Sequence, residues 1–171
     1  MFSIARKQKA LVLDLRQNPG GAVVTLERML GNVFEEDVKI ADRAGRKELK
    51  PQLAKGRGKS AFNGKIIVLI DSNSASAAEL FVRVIQLEHR GTVIGDLSSG
   101  SVMESRYCSE SQGADTMIFY GFSITDADLI MKDGKSSSTL VSLLTKSCSP
   151  HLPILSRERI PRWRAPPPSP V

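Results

Sequence analysis

One stretch constrains this chain more than any other: Ile66 to Asp96, reading IIVLIDSNSASAAELFVRVIQLEHRGTVIGD. It opens with Ile66-Ile67-Val68-Leu69-Ile70, short and β-branched enough for a buried strand. Small polar residues follow from Asp71 to Ser76, and then Ala78, Phe81, Val82, Ile85 and Leu87 supply the apolar positions of a helix. Thr92-Val93-Ile94-Gly95 closes the unit as a second short strand. Strand, sharp turn, helix, strand is thus the expected order. A serine in that turn sits at a helix N-terminus, where N–H groups lack partners and the dipole favours negative charge. Such a place suits a nucleophile and the oxyanion its attack creates. It equally suits an ordinary N-cap, which Ser, Asn and Asp supply.

A second turn of the same kind lies upstream. Ala10 to Arg16 reads as a strand, Gln17-Asn18-Pro19-Gly20-Gly21 as a turn, and Ala22 to Phe34 as a helix with Val23, Leu26, Met29, Leu30 and Val33 on one side. Glycines there present backbone N–H groups without Cβ obstruction, as a cradle for an oxyanion or a phosphate. The lysine and Ser/Thr of a phosphate loop are missing. Further on, Val38 to Ala44 reads as a strand and 43–60 as a hairpin or surface loop. Val102 to Cys108 reads as a strand, Ser109 to Ala114 as a loop and Asp115 to Ile124 as another strand. Asp126 to Met131 reads as a strand ending in the turn Lys132-Asp133-Gly134-Lys135. Strand–helix alternation twice over predicts an α/β layered domain.

The two turn motifs together, LVLDLRQNPGG at 11–21 and SNSASAAE at 72–79, followed by RGTVIGD, resemble the C-terminal processing (tail-specific) serine peptidases. The resemblance covers about residues 5–136. It implies the crotonase/ClpP-like α/β fold of that family's protease domain, a peptide or protein substrate, and no cofactor, metal or nucleic acid. It places the nucleophile on Ser76, three residues before Glu79, with the oxyanion held by the amides of Ala77 and of Gly20 or Gly21. Many relatives carry a lysine base about 25 residues after the nucleophile. Ser101 stands at that position here, and it cannot replace a neutral amine. Relatives akin to the tricorn core protease take a histidine from upstream instead. The histidines of this chain are His89, expected near the far end of the helix that Ser76 begins, and His151. Glu104 is a weaker candidate partner for the site. The resemblance therefore implies a fragment, its general base supplied from outside or lost. It also implies an exported, periplasmic or membrane-associated full-length protein.

Charge and cysteines narrow the alternatives. Net charge is +6, of which residues 137–171 hold +4. The basic character is partly a tail property, and no aromatic-and-basic interleaving points to nucleic acid. Cys108 and Cys148 have no metal-ligand spacing. Residues 137–171 hold seven of nine prolines and turn rich in Ser and Arg. A set of codons for Ser137 to Thr145, read one frame over, spells Leu-Glu-His-Val-Gly-Val-Thr-Pro-Asp, the continuation that the resemblance leads one to expect. The expected domains are thus a partial protease domain at 1–136 and an out-of-frame, disordered tail at 137–171, with a Pro-rich ligand or a basic arm around Trp163 as alternatives. Two rival functions remain: a non-catalytic peptide-binding domain, and a crotonase-like acyl-CoA enzyme that would leave Ser76 without a role.

Overall fold

A computed structural model describes residues 2–139. The elements are α1 (Phe2–Ala5), β1 (Ala10–Asp14), α2 (Val23–Gly31), β2 (Val38–Gly45), β3 (Gln52–Ala54), β4 (Lys65–Ile70), α3 (Ala77–Leu87), β5 (Thr92–Gly95), β6 (Glu104–Gln112) and β7 (Ile118–Ile130). Single 3-10 turns sit at Gly58–Ser60 and Ser137–Thr139. The domain is α/β, as expected. The tail's remaining residues, with His151, Cys148 and Trp163, lie outside the described residues.

Two sheets divide the work. A parallel sheet has the order β1-β4-β5, with Leu13 opposite Val68 and Val68 opposite Val93. Ile66, Val68 and Ile70 are buried while Ile67 and Leu69 are only partly so, the period-2 alternation of a strand with one face against the core. Leu26 and Leu30 of α2 and Phe81, Val82 and Ile85 of α3 join them in that core. Both helices thereby start at the carboxyl end of a parallel strand, which brings the two turns that precede them to one edge of the sheet. Arg90, just past α3, donates to the carbonyls of Val33, Phe62 and Gly64, so the helix end and two loops share one fastening.

The second sheet has the order β3-β2-β7-β6 with antiparallel neighbours. It departs from the sequence expectation in two places. Ser109 to Gln112 belong to β6, not to a loop, and β7 is one strand of 13 residues rather than two. Ser109 and Gln112 face Gly121 and Ile118 across the ladder, so long-range pairing overrides a polar local pattern. Thr125, left between the two expected strands, is paired with Ser105, Asp126 beside it forms an ion pair with Arg106, and Asp128 accepts a hydrogen bond from Ser136. Helix α2 is also shorter than expected and ends at Gly31, with Asn32 donating back to the Arg28 carbonyl.

Candidate active site

The turn after β4 is held by its own side chains. Ser74, fully buried, donates its hydroxyl to the Leu15 carbonyl at 2.8 Å and accepts from the Asp71 amide at 3.0 Å. The Asp71 carboxylate accepts the Gln17 and Asn73 amides and the Gln17 side chain. Its pKa lies below the ordinary value, first because of the Gln17 amide, with the Gln17 side chain, the Asn73 amide and the Ser74 hydroxyl adding to it against the opposing effect of burial. Asn18 completes the stitch: its carbonyl accepts the Ala75 amide and its Oδ1 the Gly20 amide, both at 2.9 Å. The two turns that the sequence singles out are thus one hydrogen-bonded structure.

Ser76 sits at the N-terminus of α3 with φ 53° and ψ −120°. A non-glycine residue at positive φ costs about 1–3 kcal/mol and persists only where its surroundings enforce it. Gly20, at φ 101°, lies so close that a Cβ there would stand 2.7 Å from Ser76 Cβ and 2.9 Å from the Ala77 nitrogen. Only glycine meets both demands, the left-handed backbone and the close approach. Around this contact, the amides divide. Gly20 N–H is spent on Asn18 and Ser76 N–H on Glu79. Gly21 N–H and Ala77 N–H take no partner among the described residues.

Glu79 is 2% exposed, yet every acceptor position is used. Oε2 accepts the Ser76 and Ser101 amides at 2.9 and 3.1 Å, and Oε1 accepts the Ser98 hydroxyl and the Gly100 amide at 2.6 and 2.8 Å. One buried carboxylate therefore ties the serine turn to the 98–101 turn. Ser101 is exposed and accepts a hydrogen bond from Ser99 at 3.0 Å. Glu104 lines the same cleft as Ser76, with Gly21, Gln52, Met103 and Leu129. Its carboxylate is engaged bidentately by Arg43 at 2.6 and 2.5 Å, an arrangement that raises the Arg43 pKa. His89 is exposed just beyond α3 at φ 51°, about 16 Å of helix from Ser76. Among the described residues, no lysine or histidine hydrogen-bonds Ser76, and no cluster of three or more His, Cys, Asp or Glu could hold a metal.

Beside the two free amides, on the side away from Glu104, an apolar hollow opens between α2 and α3. It is lined by Thr25, Leu26, Met29, Ala77, Ala78 and Phe81. Sequence reasoning missed this hollow, which needs two helices side by side, and the cleft residue Gln52. It used Glu79 as a landmark only. The S-x-x-E spacing of a capping box, Ser76 to Glu79, was the available sign of what that carboxylate does.

A sequence model of Peptidase family S41 matches residues 2–119. The chain is similar to the tail-specific protease of Haemophilus influenzae, 29% identical over 103 residues, covering 59% of this chain and 15% of the relative. It is also similar to the carboxy-terminal-processing protease of Bartonella bacilliformis, 36% identical over 95 residues, covering 55% of this chain and 22% of the relative. The chain thus spans a fifth or so of the length of these curated relatives. Among solved structures, mature CPAF complexed with lactacystin superposes with a TM-score of 0.64 at 12% identity, covering 82% of this chain and 40% of the other. The photosystem II D1 C-terminal processing protease superposes with a TM-score of 0.58 at 18% identity, covering 85% and 36%. These similarities establish the fold as that of α/β proteases. Two small-residue turns fastened into one strained elbow, and a family match over most of the chain, lead to the same place: this chain belongs to Peptidase family S41.

Proposed function

We propose that this chain carries the nucleophile and the oxyanion hole of a serine endopeptidase. Ser76 Oγ attacks the scissile carbonyl and gives its proton to a base, forming a tetrahedral intermediate. Ala77 N–H and Gly21 N–H donate to its oxyanion. Collapse breaks the C–N bond, the proton passes to the leaving amine, and water hydrolyses the acyl-enzyme. One observation carries this reading. The chain holds Ser76 at a costly positive φ and leaves the Gly21 and Ala77 amides unpaired among the described residues, while the Gly20 and Ser76 amides before them are satisfied. Of the two candidate glycines, Gly21 supplies the donor and Gly20 supplies the space. The hollow between α2 and α3 would receive an apolar substrate side chain. The base enters from a segment outside this chain, because Ser101 stands where a lysine would serve. For the full-length protein we propose an exported or membrane-associated location. Among the described residues, no helix is long and apolar enough to cross a membrane.

A non-catalytic peptide-binding domain is the second reading, favoured by the lack, among the described residues, of a lysine or histidine on Ser76. A fluorophosphonate probe decides between them, with labelled peptides located by mass spectrometry and Ser76→Ala as control. Label on Ser76 that disappears in the variant supports the peptidase site. An unlabelled chain that still binds peptide in the cleft supports the second reading.

A further inference from the structure

The hairpin β6–β7 leaves the body of the domain. Only residues 127–130 of β7 pair with β2, so the strand from Ile118 to Asp126 has β6 as its sole neighbour among the described residues. That arm extends for about 30 Å at 3.3 Å per residue. An isolated two-stranded hairpin is marginal in water. This one also presents an apolar row of β7 that nothing covers among the described residues. The alternate residues Ile118, Tyr120, Phe122 and Ile124 make an apolar row on one side, all at least 42% exposed, and Gln112, Glu110, Cys108 and Arg106 of β6 lie opposite them on that side. The run from Thr116 to Thr125 has no charge and no proline, so the open edge lacks the usual protection against pairing.

Charge identifies what covers it. The free part of the arm, residues 105–126, carries Glu110, Asp115 and Asp126 against Arg106, a net of −2 on a chain of +6, and its two acids at the tip, Glu110 and Asp115, are in no ion pair among the described residues. At its root, Gly45 pairs with Ala127, and the chain continues into 46–59. There Arg46, Lys47, Lys50, Lys55, Arg57 and Lys59 are exposed, and none is in an ion pair among the described residues. Two antiparallel arms stacked on their apolar faces would set each acidic tip, with Glu110 and Asp115, against the other copy's basic root. The face leaves roughly 500 Å² per copy, so the pair removes about 1,000 Å² from water, the size at which interfaces become specific. We infer that the arm is a self-association surface, and that its occupant is the arm of a second copy of this chain in a two-fold arrangement.

Sedimentation equilibrium of the whole chain, up to about 100 µM, tests this. The expected result is a dimer that weakens as salt screens the tip-to-root charges. Ile118→Ser with Phe122→Ser should raise the dissociation constant at least tenfold with an unchanged circular dichroism spectrum. Should that variant fail to fold, a photo-crosslinking residue at position 122 in mixed isotope-labelled copies still decides. Cross-links from one copy's arm to the arm or to residues 46–51 of the other support the arrangement. A monomer throughout, a dimer indifferent to both substitutions, or cross-links elsewhere overturns it.

Discussion

Gly20 is where one atom would do the most damage. A Cβ there meets Ser76 Cβ, the Ala75 carbonyl and the Ala77 nitrogen, all within 3 Å, at a backbone φ that L-residues avoid. Gly20→Ala should therefore cost about 1–3 kcal/mol in urea unfolding and abolish probe labelling of Ser76. Glu79→Gln tests the buried carboxylate. An amide group would turn an N–H donor toward backbone N–H donors, so the variant should lose about 1–3 kcal/mol and show faster amide exchange at Gly100 and Ser101. Asp14 makes a titration prediction. The Arg16 side-chain hydrogen bond, then the Arg16 amide, pulls its pKa from 3.8 down to about 2. A depressed carboxylate stabilises the fold above its unfolded pKa and loses that contribution as pH falls through the folded one, here between 3.8 and about 2. The carboxyl carbon of Asp14 should titrate near 2 by NMR, and Arg16→Ala should return it toward the ordinary value. None of these roles is a property of residue type: Ser76 and Ser74 are both small serines in one turn, and only the fold makes one strained and the other buried.

The serine turn and the Gly-Gly turn are held by Asp71, Asn18 and Ser74, which reach across from one to the other. Asp71→Asn should keep the fold but loosen that junction, read as higher amide exchange at Gln17 and Ala75. Strands β1 and β4 and helices α2 and α3 are legible in the residues alone, because a short apolar run bounded by turn residues marks a strand, even at the exposed edge where β1 lies, and an amphipathic helix writes a 3.6-residue period. Strands β6 and β7 are legible only in part. Ser109 to Gln112 look like a loop until the ladder sets them opposite Gly121 to Ile118, and no local pattern states that register. Leu30→Ala, at a fully buried position in the last turn of α2, should cost about 2–5 kcal/mol, measured by chemical denaturation, because it leaves a cavity in the core.

For the molecule as a whole, we propose that the folded unit extends past the boundary expected at 136 to include Ser137. Ser137 is fully buried and donates its hydroxyl to the Val102 carbonyl. A chain ended after Ser136 should therefore unfold at a lower denaturant concentration than one ended after Thr139, because it lacks that buried hydrogen bond. The sequence by itself determined the α/β class, the family likeness, the two turns and the serine between strand and helix. Each of these is written in neighbouring residues, through periodicity, turn chemistry and helix-capping order. Only the tertiary structure decided that Gly21 rather than Gly20 has a free amide, that Glu79 locks the 98–101 turn to the elbow, that Arg43 engages Glu104, and that an apolar arm stands uncovered. Those depend on which groups meet across long stretches of chain, and hydrogen-bond partners and burial are properties of that meeting, not of the residues taken one at a time.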